Sequence, residues 1–525
     1  MILYEIFNQT CSKLHKSTAV YYNQSVVRYR QIREQAIRIS VTLTSMGVKP
    51  GDRIALIMRN TPEFIMAYFA ILKIGAVAVP INFNLKAPEI SYIMQDAGIV
   101  GAIVQDRYYE TALLAAKNKN FFKFVLIHGD SPGSKQEKHI PCKNLRETLG
   151  AKTDPDENAR TQYHKSKPDD CIMIIYTSGT TGNPKGVMLT NKNLVANIES
   201  CKKATDVNQK DCFICLLPMF HSFAWTVCVL LPISLGAKIA VIESIQPFRN
   251  VMKAVFTCKV TVFVGIPKIF SALARIPFVK PLHIFIPIRF CISGAAPLSP
   301  VILESFEKKF GIPLLEGYGL TETAPVVSLN PLNGKRKPGS IGIPIPGVTI
   351  KIVNDTGSSI PPGNQIGEIC VKGDNVMKGY YNLPDATKAS IDADGWFKTG
   401  DMGYYDNEGY VFIADRKKDI IISRGINIYP KEIENILDSH TAVSESSVIG
   451  ISAPDGDETV VAYVTLHPDA TVTPKELIQL CRKNIAAFKV PKEIKIIPEM
   501  PKNTLGKILK TELRKWSGKK SPITT

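Results

Sequence analysis

The sequence lacks the patterns that would assign it at once to nucleic-acid or metal binding. No basic run has the density of a nucleic-acid-binding arm, although 64 Lys and Arg against 47 Asp and Glu give a formal net charge of +17. The eleven cysteines show no repeated spacing, and the pair Cys212 and Cys215 in "CFIC" has no second pair to complete a zinc site. We therefore expect no nucleic-acid partner and no structural metal. The cysteines are interpreted as buried thiols of a reducing compartment.

Uninterrupted apolar runs are also scarce. The first residues, "MILYEIFNQTCSKLHKS", contain no basic region followed by an apolar stretch, so we expect no secretory signal peptide. The most apolar segment, residues 213–242, is interrupted by Pro218, His221, Pro232 and Lys238, which favours a buried helix and strand over a membrane span. The sequence predicts a cytoplasmic protein, and peripheral contact with a membrane surface stays open.

What is present is the rhythm of a large α/β protein. A chain of 525 residues, 45% hydrophobic and 21% charged, is too long for one hydrophobic core and too apolar for extensive disorder. Strand-like runs such as "DRIALIM" and "GAVAVPI" alternate with the helix-like "TPEFIMAYFAILKIG". The alternation resumes in "CIMIIY", "CFICLLP", "KIAVIE" and "VTVFVG". Residues 119–167, which lack sustained periodicity, are interpreted as a connection between two subdomains.

The C-terminal third changes character. Residues 348–372 alternate β-branched residues around the turn "NDTGSSIPPG", which predicts a small antiparallel β unit. After "ADRKKD" the elements become short: a helix with Pro430 in its first turn, strands near "SVIGIS" and "VVAYVTL", and a helix from Pro474. We predict an α/β fold with a large N-terminal domain, residues 1–414, of two α/β sheet subdomains plus the small β unit. A small C-terminal α/β domain, residues 415–525, follows it.

The stretch "YTSGTTGNPKG", residues 176–186, has the composition of a phosphate-binding loop. It follows the strand pattern "CIMIIY", and Gly179, Gly182 and Gly186 allow backbone N–H groups to turn toward an anion. The side chains that add hydroxyl donors or positive charge are Thr177, Ser178, Thr180, Thr181 and Lys185. The familiar nucleotide loop, G-x-x-x-x-G-K followed by Ser or Thr, is absent. The sequence therefore predicts phosphate chemistry of a different kind.

Six further motifs follow the loop in a fixed order. They are "LPMFH" at 217–221, "SGAAPL" at 293–298, "GYGLTET" at 317–323, "WFKTGD" at 396–401, "DRKKDIIISRG" at 415–425 and "NTLGKI" at 503–508. With the loop, they resemble the adenylate-forming enzymes, the superfamily of acyl-CoA and aryl-CoA synthetases, peptide-synthetase adenylation domains and beetle luciferases. The resemblance runs from about residue 3 to residue 510. Residues 394–434 resemble the long-chain fatty acyl-CoA synthetase branch.

The resemblance implies a two-step reaction with ATP, Mg²⁺ and coenzyme A. A medium- or long-chain fatty acid would form acyl-AMP and pyrophosphate, and the thiol of CoA would then displace AMP. Positive charge around the phosphorus would assist the first step. The implied catalytic residues are Lys507, bridging carboxylate and phosphate; Glu322, near Mg²⁺ and the α-phosphate together with Thr321; and His221, lining the acyl channel. Thr177 and Glu322 are the implied metal ligands.

The resemblance also implies the nucleotide and acyl contacts. Asp401 would accept hydrogen bonds from the ribose hydroxyls, since a carboxylate offers only acceptors, and Arg416 would contact ribose or phosphate. The other implied cofactor-binding residues are Gly294, Ala295, Ala296, Gly317, Tyr318, Gly319, Leu320, Thr321, Ser423, Arg424 and Gly425. The implied substrate-pocket residues are His221, Trp225, Gly265, Gly294 and Gly319.

The same family pattern implies that the C-terminal domain is a mobile lid. Lys418 would be its hinge, Lys507 would act in one pose, and residues 423–425 would lie beside the thiol channel in the other. From sequence alone, a surface lysine between domains is the favoured interpretation of Lys418, and core packing is as well supported as gating for Trp225.

Three other functions stay open. A fatty-acyl-AMP ligase would load an acyl carrier protein, an aryl-CoA ligase would take an aromatic acid, and an adenylate-binding sensor would bind nucleotide without turnover. The acceptor is the less certain partner, because the turn in "ISAPDGDETVVAYV" is shorter than in relatives and carries Asp457 and Glu458. A homodimer is also left open.

Overall fold

The computed structural model describes residues 2–130, 140–150, 163–177, 183–276, 286–423, 426–452, 458–503 and 506–517. Several predicted site residues lie outside these ranges, namely Ser178, Gly179, Thr180, Thr181, Gly182, Arg424 and Gly425. Residues 453–457, which form most of the shortened turn, also lie outside them.

The strands below are numbered in chain order within the described residues. They are β1 (Thr18–Tyr22), β2 (Ser25–Arg28), β3 (Arg53–Ile57), β4 (Val77–Pro80), β5 (Ile99–Gln105), β6 (Phe124–His128), β7 (Cys142–Asn144), β8 (Cys171–Thr177), β9 (Lys185–Thr190), β10 (Cys212–Cys215), β11 (Lys238–Val241), β12 (Val262–Gly265), β13 (Phe290–Ser293), β14 (Leu314–Gly319), β15 (Val326–Leu329), β16 (Ile343–Pro344), β17 (Val348–Val353), β18 (Ser359–Ile360), β19 (Gly367–Gly373), β20 (Gly379–Tyr380), β21 (Phe397–Tyr405), β22 (Val411–Arg416), β23 (Ile421–Ser423), β24 (Ile426–Ile428), β25 (Val443–Ser452), β26 (Glu458–Leu466) and β27 (Glu493–Ile496).

The α-helices of the same ranges are α1 (Leu3–Lys13), α2 (Tyr29–Ser45), α3 (Pro62–Lys73), α4 (Ala87–Ala97), α5 (Tyr109–Ala116), α6 (Leu145–Gly150), α7 (Asn191–Ala204), α8 (Leu231–Leu235), α9 (Arg249–Thr257), α10 (Pro267–Arg275), α11 (Pro300–Phe310), α12 (Pro384–Ser390), α13 (Pro430–Asp438), α14 (Pro474–Asn484) and α15 (Lys510–Ser517). A π-helical segment, Ala224–Leu230, precedes α8.

Backbone packing divides the chain into two compact units. The first contains Met1–Thr349 and Val371–Phe397, and the second contains Ile350–Cys370 and Lys398–Thr525. The small β unit therefore groups with the C-terminal elements, whereas composition placed it in the N-terminal domain. The functional boundary at residue 414 stays a prediction.

The first unit is built on two large mixed sheets. Among the described strands, one sheet has the order β16-β15-β14-β13-β12-β10-β11-β1-β2, and the other has the order β20-β9-β8-β4-β3-β5-β6-β7. Each contains neighbouring parallel strands joined by crossover helices, such as β3 and β4 joined by α3. This arrangement confirms the predicted α/β class.

Helix α3 illustrates how the local sequence forms these elements. The Thr61 hydroxyl accepts a hydrogen bond from the Phe64 backbone N–H at 3.3 Å and caps the helix, and Pro62 occupies its first turn. Every residue from Phe64 to Lys73 is buried, so the helix lies within the apolar interior of the first unit. Gly75 follows with a φ of 73°, a left-handed conformation that favours glycine.

In the second unit, the described strands form three smaller sheets. Their orders are β18-β17-β19-β21-β22, β23-β24 and β25-β26-β27. The first of these confirms the predicted small β unit. Helices α13 and α14 pack with β25 and β26 around Ile433, Leu437 and Leu477, as predicted from the short elements after Pro430.

The interpretation of residues 119–167 as a plain connection was wrong in part. Residues Phe124–His128 and Cys142–Asn144 form β6 and β7, which extend the eight-stranded sheet by parallel pairing beyond β5. Strand β6 is a short apolar run, "FVLIH", and β7 is a polar edge strand of three residues, "CKN". Runs so short carry little periodic signal, and their pairing partners decide their structure.

The described cysteines are all free thiols, and most are buried. Cys142, Cys171 and Cys258 are partly exposed. None of the helices in the described ranges combines the length and apolar character needed to cross a lipid bilayer.

Candidate active site

Three adjacent parallel strands bring together glycines that the sequence places far apart. In the sheet register, Gly265 at the end of β12 pairs with Ser293 at the end of β13, and Ser293 pairs with Glu316 in β14. Gly294 and Gly317 directly follow these paired residues and therefore lie at the same edge. The carboxyl ends of parallel strands are where open α/β sheets bind ligands.

Close backbone approaches at this edge require small residues. A Cβ atom added to Gly319 would lie 2.2 Å from the Pro325 carbonyl oxygen, so no other residue fits without a backbone shift. Ala295 holds a φ of 68° in the predicted adenine motif, a conformation that is costly for a residue with a Cβ atom. Its neighbour Ala296 is half-buried, whereas Ala295 is exposed. The strain at Ala295 and the close approach at Gly319 are compatible with the predicted adenine ring, a flat group that must lie close to the backbone.

The residues that directly follow "LPMFH" are tied to the "GYGLTET" turn and to Ala324, the next residue, by two hydrogen bonds. The hydroxyl oxygens of Ser222 and Thr321 lie 3.2 Å apart. The Thr226 hydroxyl donates to the Ala324 carbonyl oxygen at 3.1 Å. Leu320, Thr321 and Tyr318 are half-buried in this turn. The structure thus brings the predicted acyl-channel segment to the predicted phosphate turn.

His221 is held as a neutral imidazole. Burial lowers the pKa of its ring to about 4, and its Nε2 is shielded from solvent with no hydrogen-bond partner among the described residues. A neutral imidazole has one nitrogen that accepts and one that donates. His221 can therefore contact a substrate without adding positive charge to the acyl channel.

Trp225 lies in the π-helical segment and is fully buried. Its ring centroid lies 5.2 Å from that of Phe64 and 4.5 Å from that of Tyr68, both on α3. These contacts are those of a core residue. The predicted role of Trp225 as a gate over an acyl tunnel stays a prediction.

Lys185 and Glu322 meet at a third residue, Tyr380. Lys185 starts β9 and pairs with Thr177 of β8, and its Nζ lies 5.0 Å from the centroid of the Tyr380 ring. The Tyr380 hydroxyl donates a hydrogen bond to Glu322 Oε1 at 3.0 Å. The sequence singled out Lys185 and Glu322 but missed Tyr380, because nothing in "MKGYYN" marks one of its two tyrosines.

The donor chemistry of Glu322 and Thr177 fits the implied Mg²⁺. Both offer oxygen atoms, and Mg²⁺ takes oxygen ligands and shares its coordination shell with nucleotide phosphates. Within the described ranges, no group of three or more His, Cys, Asp or Glu residues is clustered closely enough to hold a metal.

In the second unit, the buried Asp401 forms an ion pair with the partly exposed Arg416. They face each other across β21 and β22, and Arg416 Nε lies 2.6 Å from Asp401 Oδ1. Asp401 is 3% exposed, and its backbone N–H donates to the Thr399 hydroxyl at 3.0 Å. The carboxylate is therefore fixed in place by these two contacts.

Lys507 lies in a tight turn closed by Asn503. The Asn503 side-chain oxygen accepts a hydrogen bond from the Lys507 backbone N–H at 2.9 Å, and the Lys507 carbonyl accepts one from the Asn503 N–H at 2.9 Å. The residue keeps an exposed surface, yet desolvation by surrounding protein, together with the positive charge of Arg416, lowers the pKa of its ammonium group to about 8. Asp401 acts in the opposite direction. The structure thus brings Lys507 into the electrostatic field of the Asp401–Arg416 pair.

The predicted hinge lies in a short 3₁₀ helix, Lys417–Asp419, where Lys418 is exposed. Asp419 in this helix accepts a hydrogen bond from Arg514 Nη2 of α15 at 2.8 Å. Lys510, at the start of α15, pairs with the buried Glu434 at 2.9 Å. The helix that follows Lys507 is therefore tied to the hinge segment. Ser423 ends β23, and its side chain is outside the described atoms.

Comparisons with known proteins identify the family of this chain. The model of the AMP-binding enzyme family matches residues 7–381, and that of the AMP-binding enzyme C-terminal domain matches residues 432–507. A long-chain-fatty-acid–CoA ligase of Escherichia coli O6:H1 is 33% identical, with 98% of this chain and 94% of the relative covered. The Bacillus subtilis (strain 168) enzyme of the same name is 34% identical, with 97% of this chain and 94% of the relative covered. A feruloyl-CoA synthase of Amycolatopsis sp. is 33% identical over 96% of each.

Solved structures give the same result. ATP-bound MatB from Rhodopseudomonas palustris superposes with a TM-score of 0.87 at 29% identity, covering 98% of this chain and 99% of that one. A Mycobacterium tuberculosis fatty acyl CoA synthetase superposes with a TM-score of 0.76 at 30% identity, covering 99% of both. With its fold, its motifs and both family models in agreement, the chain belongs to the AMP-binding enzyme family.

Proposed function

We propose that this chain is an ATP-dependent acid–thiol ligase that converts a medium- or long-chain fatty acid to its acyl-CoA through an acyl-AMP intermediate. The observation that carries the proposal is the placement of Lys507 in the field of the Asp401–Arg416 pair. A cation in the field of a carboxylate that can accept hydrogen bonds supports binding a nucleotide while stabilising negative charge in its reaction.

The two steps follow from the chemistry of carboxylates. A carboxylate is a poor acyl electrophile, so one of its oxygens first attacks the α-phosphorus of ATP and pyrophosphate leaves. The CoA thiolate then attacks the acyl carbonyl carbon, and AMP leaves with the former carboxylate oxygen. Water can hydrolyse acyl-AMP before the thiol attacks. The protein groups that exclude water therefore determine the fraction of acyl-AMP that is converted to acyl-CoA.

Individual residues have distinct roles in this proposal. Lys507 neutralises the charge that develops between carboxylate and α-phosphate, and Asp401 accepts hydrogen bonds from the ribose. Glu322 and Thr177 provide oxygen ligands for Mg²⁺, which supplies charge neutralisation at the phosphates when it is bound. Lys185 adds positive charge beside the pyrophosphate as it leaves. His221 lines the acyl channel in its neutral form.

The C-terminal segment, residues 415–525, is proposed to act as a lid that turns about Lys418. One pose presents Lys507 for adenylation and the other presents residues 423–425 to the thiol, because a single site must first exclude water and then admit a long thiol. The exposed position of Lys418 in a short helix supports this role.

The fatty-acid preference rests on the names of the relatives and on the apolar lining. Two near-full-length relatives are named long-chain-fatty-acid–CoA ligases, and the residues near His221, Met219 to Trp225, are mainly apolar and buried. The basic balance of 64 Lys and Arg against 47 Asp and Glu supports contact with an anionic membrane from which fatty acids are drawn.

A carboxylic-acid panel with pyrophosphate detection tests the adenylation step. We expect pyrophosphate release with saturated acids of medium or long chain, and little pyrophosphate release with ferulate, benzoate or amino acids. Preferential turnover of aromatic acids would replace the fatty-acid proposal with the aryl-CoA alternative, as the feruloyl-CoA synthase relative allows. Bound ATP without pyrophosphate release for any acid would identify an adenylate-binding sensor.

The acceptor is tested separately with purified acyl-AMP. We expect acyl-CoA from free CoA and no acylation of a phosphopantetheinylated carrier protein. The reverse result would assign the chain to carrier loading. Flotation with anionic vesicles and sedimentation of the purified protein test the membrane contact and a homodimer.

A further inference from the structure

Tyr380 contacts two groups, Glu322 and Lys185, that the proposed function assigns to the nucleotide phosphates. Its hydroxyl donates to Glu322 Oε1 at 3.0 Å, and its ring lies 5.0 Å from the Lys185 ammonium nitrogen. A hydrogen bond to a charged carboxylate is among the stronger ones in proteins. A lysine over an aromatic face is attracted by the ring quadrupole. One buried side chain, 8% exposed, thus contacts both a carboxylate and a cation of the proposed site.

The backbone around Tyr380 makes the same connection. The Met377 N–H donates to the Glu322 carbonyl oxygen at 2.8 Å, and the Tyr381 N–H donates to the Gly186 carbonyl oxygen at 2.7 Å. Strand β20 pairs with β9 in antiparallel register, with Tyr380 opposite Val187. The segment therefore fixes the turn that carries Glu322 against the strand that carries Lys185.

We infer that Tyr380 is a positioning residue that sets the distance and orientation between the Glu322 carboxylate and the Lys185 ammonium group for Mg·ATP. This inference rests on the proposed function for the identity of the ligand. The Tyr380 hydroxyl holds one oxygen of Glu322, which restricts the orientation of this carboxylate before Mg·ATP would bind. Preorganised groups lose less entropy when they bind.

The Tyr380 hydroxyl acts as a hydrogen-bond donor to the Glu322 carboxylate, and phenylalanine keeps the ring while removing this donor. Its removal should therefore change the orientation of Glu322 without changing the charge of the site.

The test is Tyr380→Phe, which removes the hydroxyl and keeps the ring over Lys185. We expect the Kd for Mg·ATP and the half-saturating Mg²⁺ concentration to rise about tenfold, the lower end of what loss of a hydrogen bond to a charged group produces. Pyrophosphate release should slow by about the same factor, whereas acyl-CoA formation from supplied acyl-AMP should stay within about twofold of the wild type. Tyr380→Leu, which also removes the ring, should weaken Mg·ATP binding further.

Tyr381→Phe is the matched control, because its ring packs against the apolar core of the eight-stranded sheet and not on Lys185. It should bind Mg·ATP as the wild type does. In a Glu322→Gln background, adding Tyr380→Phe should have little further effect if Tyr380 acts through Glu322. Three results would each overturn the inference. The effects of Glu322→Gln and Tyr380→Phe could add fully in the double variant, Tyr380→Phe could leave the Mg²⁺ dependence unchanged, or Tyr380→Phe could slow both half-reactions equally.

The binding measurement also separates this inference from the proposed function. A wild-type protein that activates no acid in the panel would refute the ligase activity. The Kd of Tyr380→Phe for Mg·ATP would still decide whether Tyr380 orients the nucleotide site.

Discussion

Arg416 Nε lies 2.6 Å from the Oδ1 atom of Asp401, a carboxylate that is 3% exposed. A carboxylate this deeply buried remains ionised only when it is paired and hydrogen-bonded. Arg416 supplies the pairing that offsets the cost of burying this carboxylate. The pair is a structural contact of β21 with β22, and the proposed function assigns Asp401 to the ribose.

Asp401→Asn should raise the KM for ATP by about tenfold or more, because an amide replaces one acceptor oxygen by a donor that faces Arg416. The KM for ATP is obtained from the rate of pyrophosphate release at varied ATP concentration. Asp385→Asn, at an exposed residue of α12, is the control and should leave the KM unchanged. An unaltered KM for Asp401→Asn would remove this residue from the ribose site.

Lys507→Ala should reduce adenylation by about a hundredfold or more, the effect expected when a charge-stabilising group is lost from a transition state. Thioesterification of supplied acyl-AMP should be spared, since Lys507 has no role in that step. Lys515→Ala, at an exposed lysine of α15, should change neither rate. Equal loss of both half-reactions in Lys507→Ala would contradict this division of labour.

The pH profile of adenylation should report the ammonium group of Lys507. Its pKa is lowered to about 8, so the protonated fraction falls as the pH rises through 8. Because only the protonated form stabilises negative charge, the rate of pyrophosphate release should decline above about pH 8. In Lys507→Arg the guanidinium stays charged, and any remaining activity should lack this alkaline decline. A wild-type rate that is constant to pH 10 would argue against a lysine of lowered pKa in the reaction.

Lys418→Pro should slow the thioester-forming step more than adenylation, because proline restricts φ at the proposed hinge and removes a backbone donor. Single-turnover assays of each half-reaction separate the two effects. The adjacent Lys417 pairs with Glu368 at 2.8 Å, so Lys417→Ala tests loss of a lysine without a change in backbone freedom. A second step that is as fast in Lys418→Pro as in the wild type would exclude Lys418 as the pivot.

Trp225→Ala should lower the free energy of unfolding of the first unit by about 3–5 kcal/mol, the usual cost of truncating a large buried aromatic side chain. Its contacts with Phe64 and Tyr68 are those of core packing. We therefore expect the more conservative Trp225→Phe to retain the chain-length preference of the wild type. A shift toward longer acids in Trp225→Phe would instead support the gating role.

The motifs were sufficient to predict the family and the fold class, and the match over residues 7–381 confirms the family. The helix over Pro62–Lys73 and the strands in "CIMIIY" and "VTVFVG" were also predictable, because each has a strong periodic or apolar signal. Strands β6 and β7 were not, because they are short and depend on pairing with β5 and with each other. The roles assigned to individual site residues stay predictions.

The sequence by itself determined which chemical groups this protein has available: the phosphate loop, the carboxylates Asp401 and Glu322, and the lysines Lys185 and Lys507. Only the tertiary structure decided how they are coupled. Tyr380 bridges Lys185 and Glu322, although about two hundred residues separate Lys185 from Tyr380 in the chain. Desolvation by the surrounding protein lowers the pKa of Lys507. The physical reason is that hydrogen-bond geometry and desolvation depend on neighbours in space, which strand pairing and turn closure supply and which residue order along the chain does not specify.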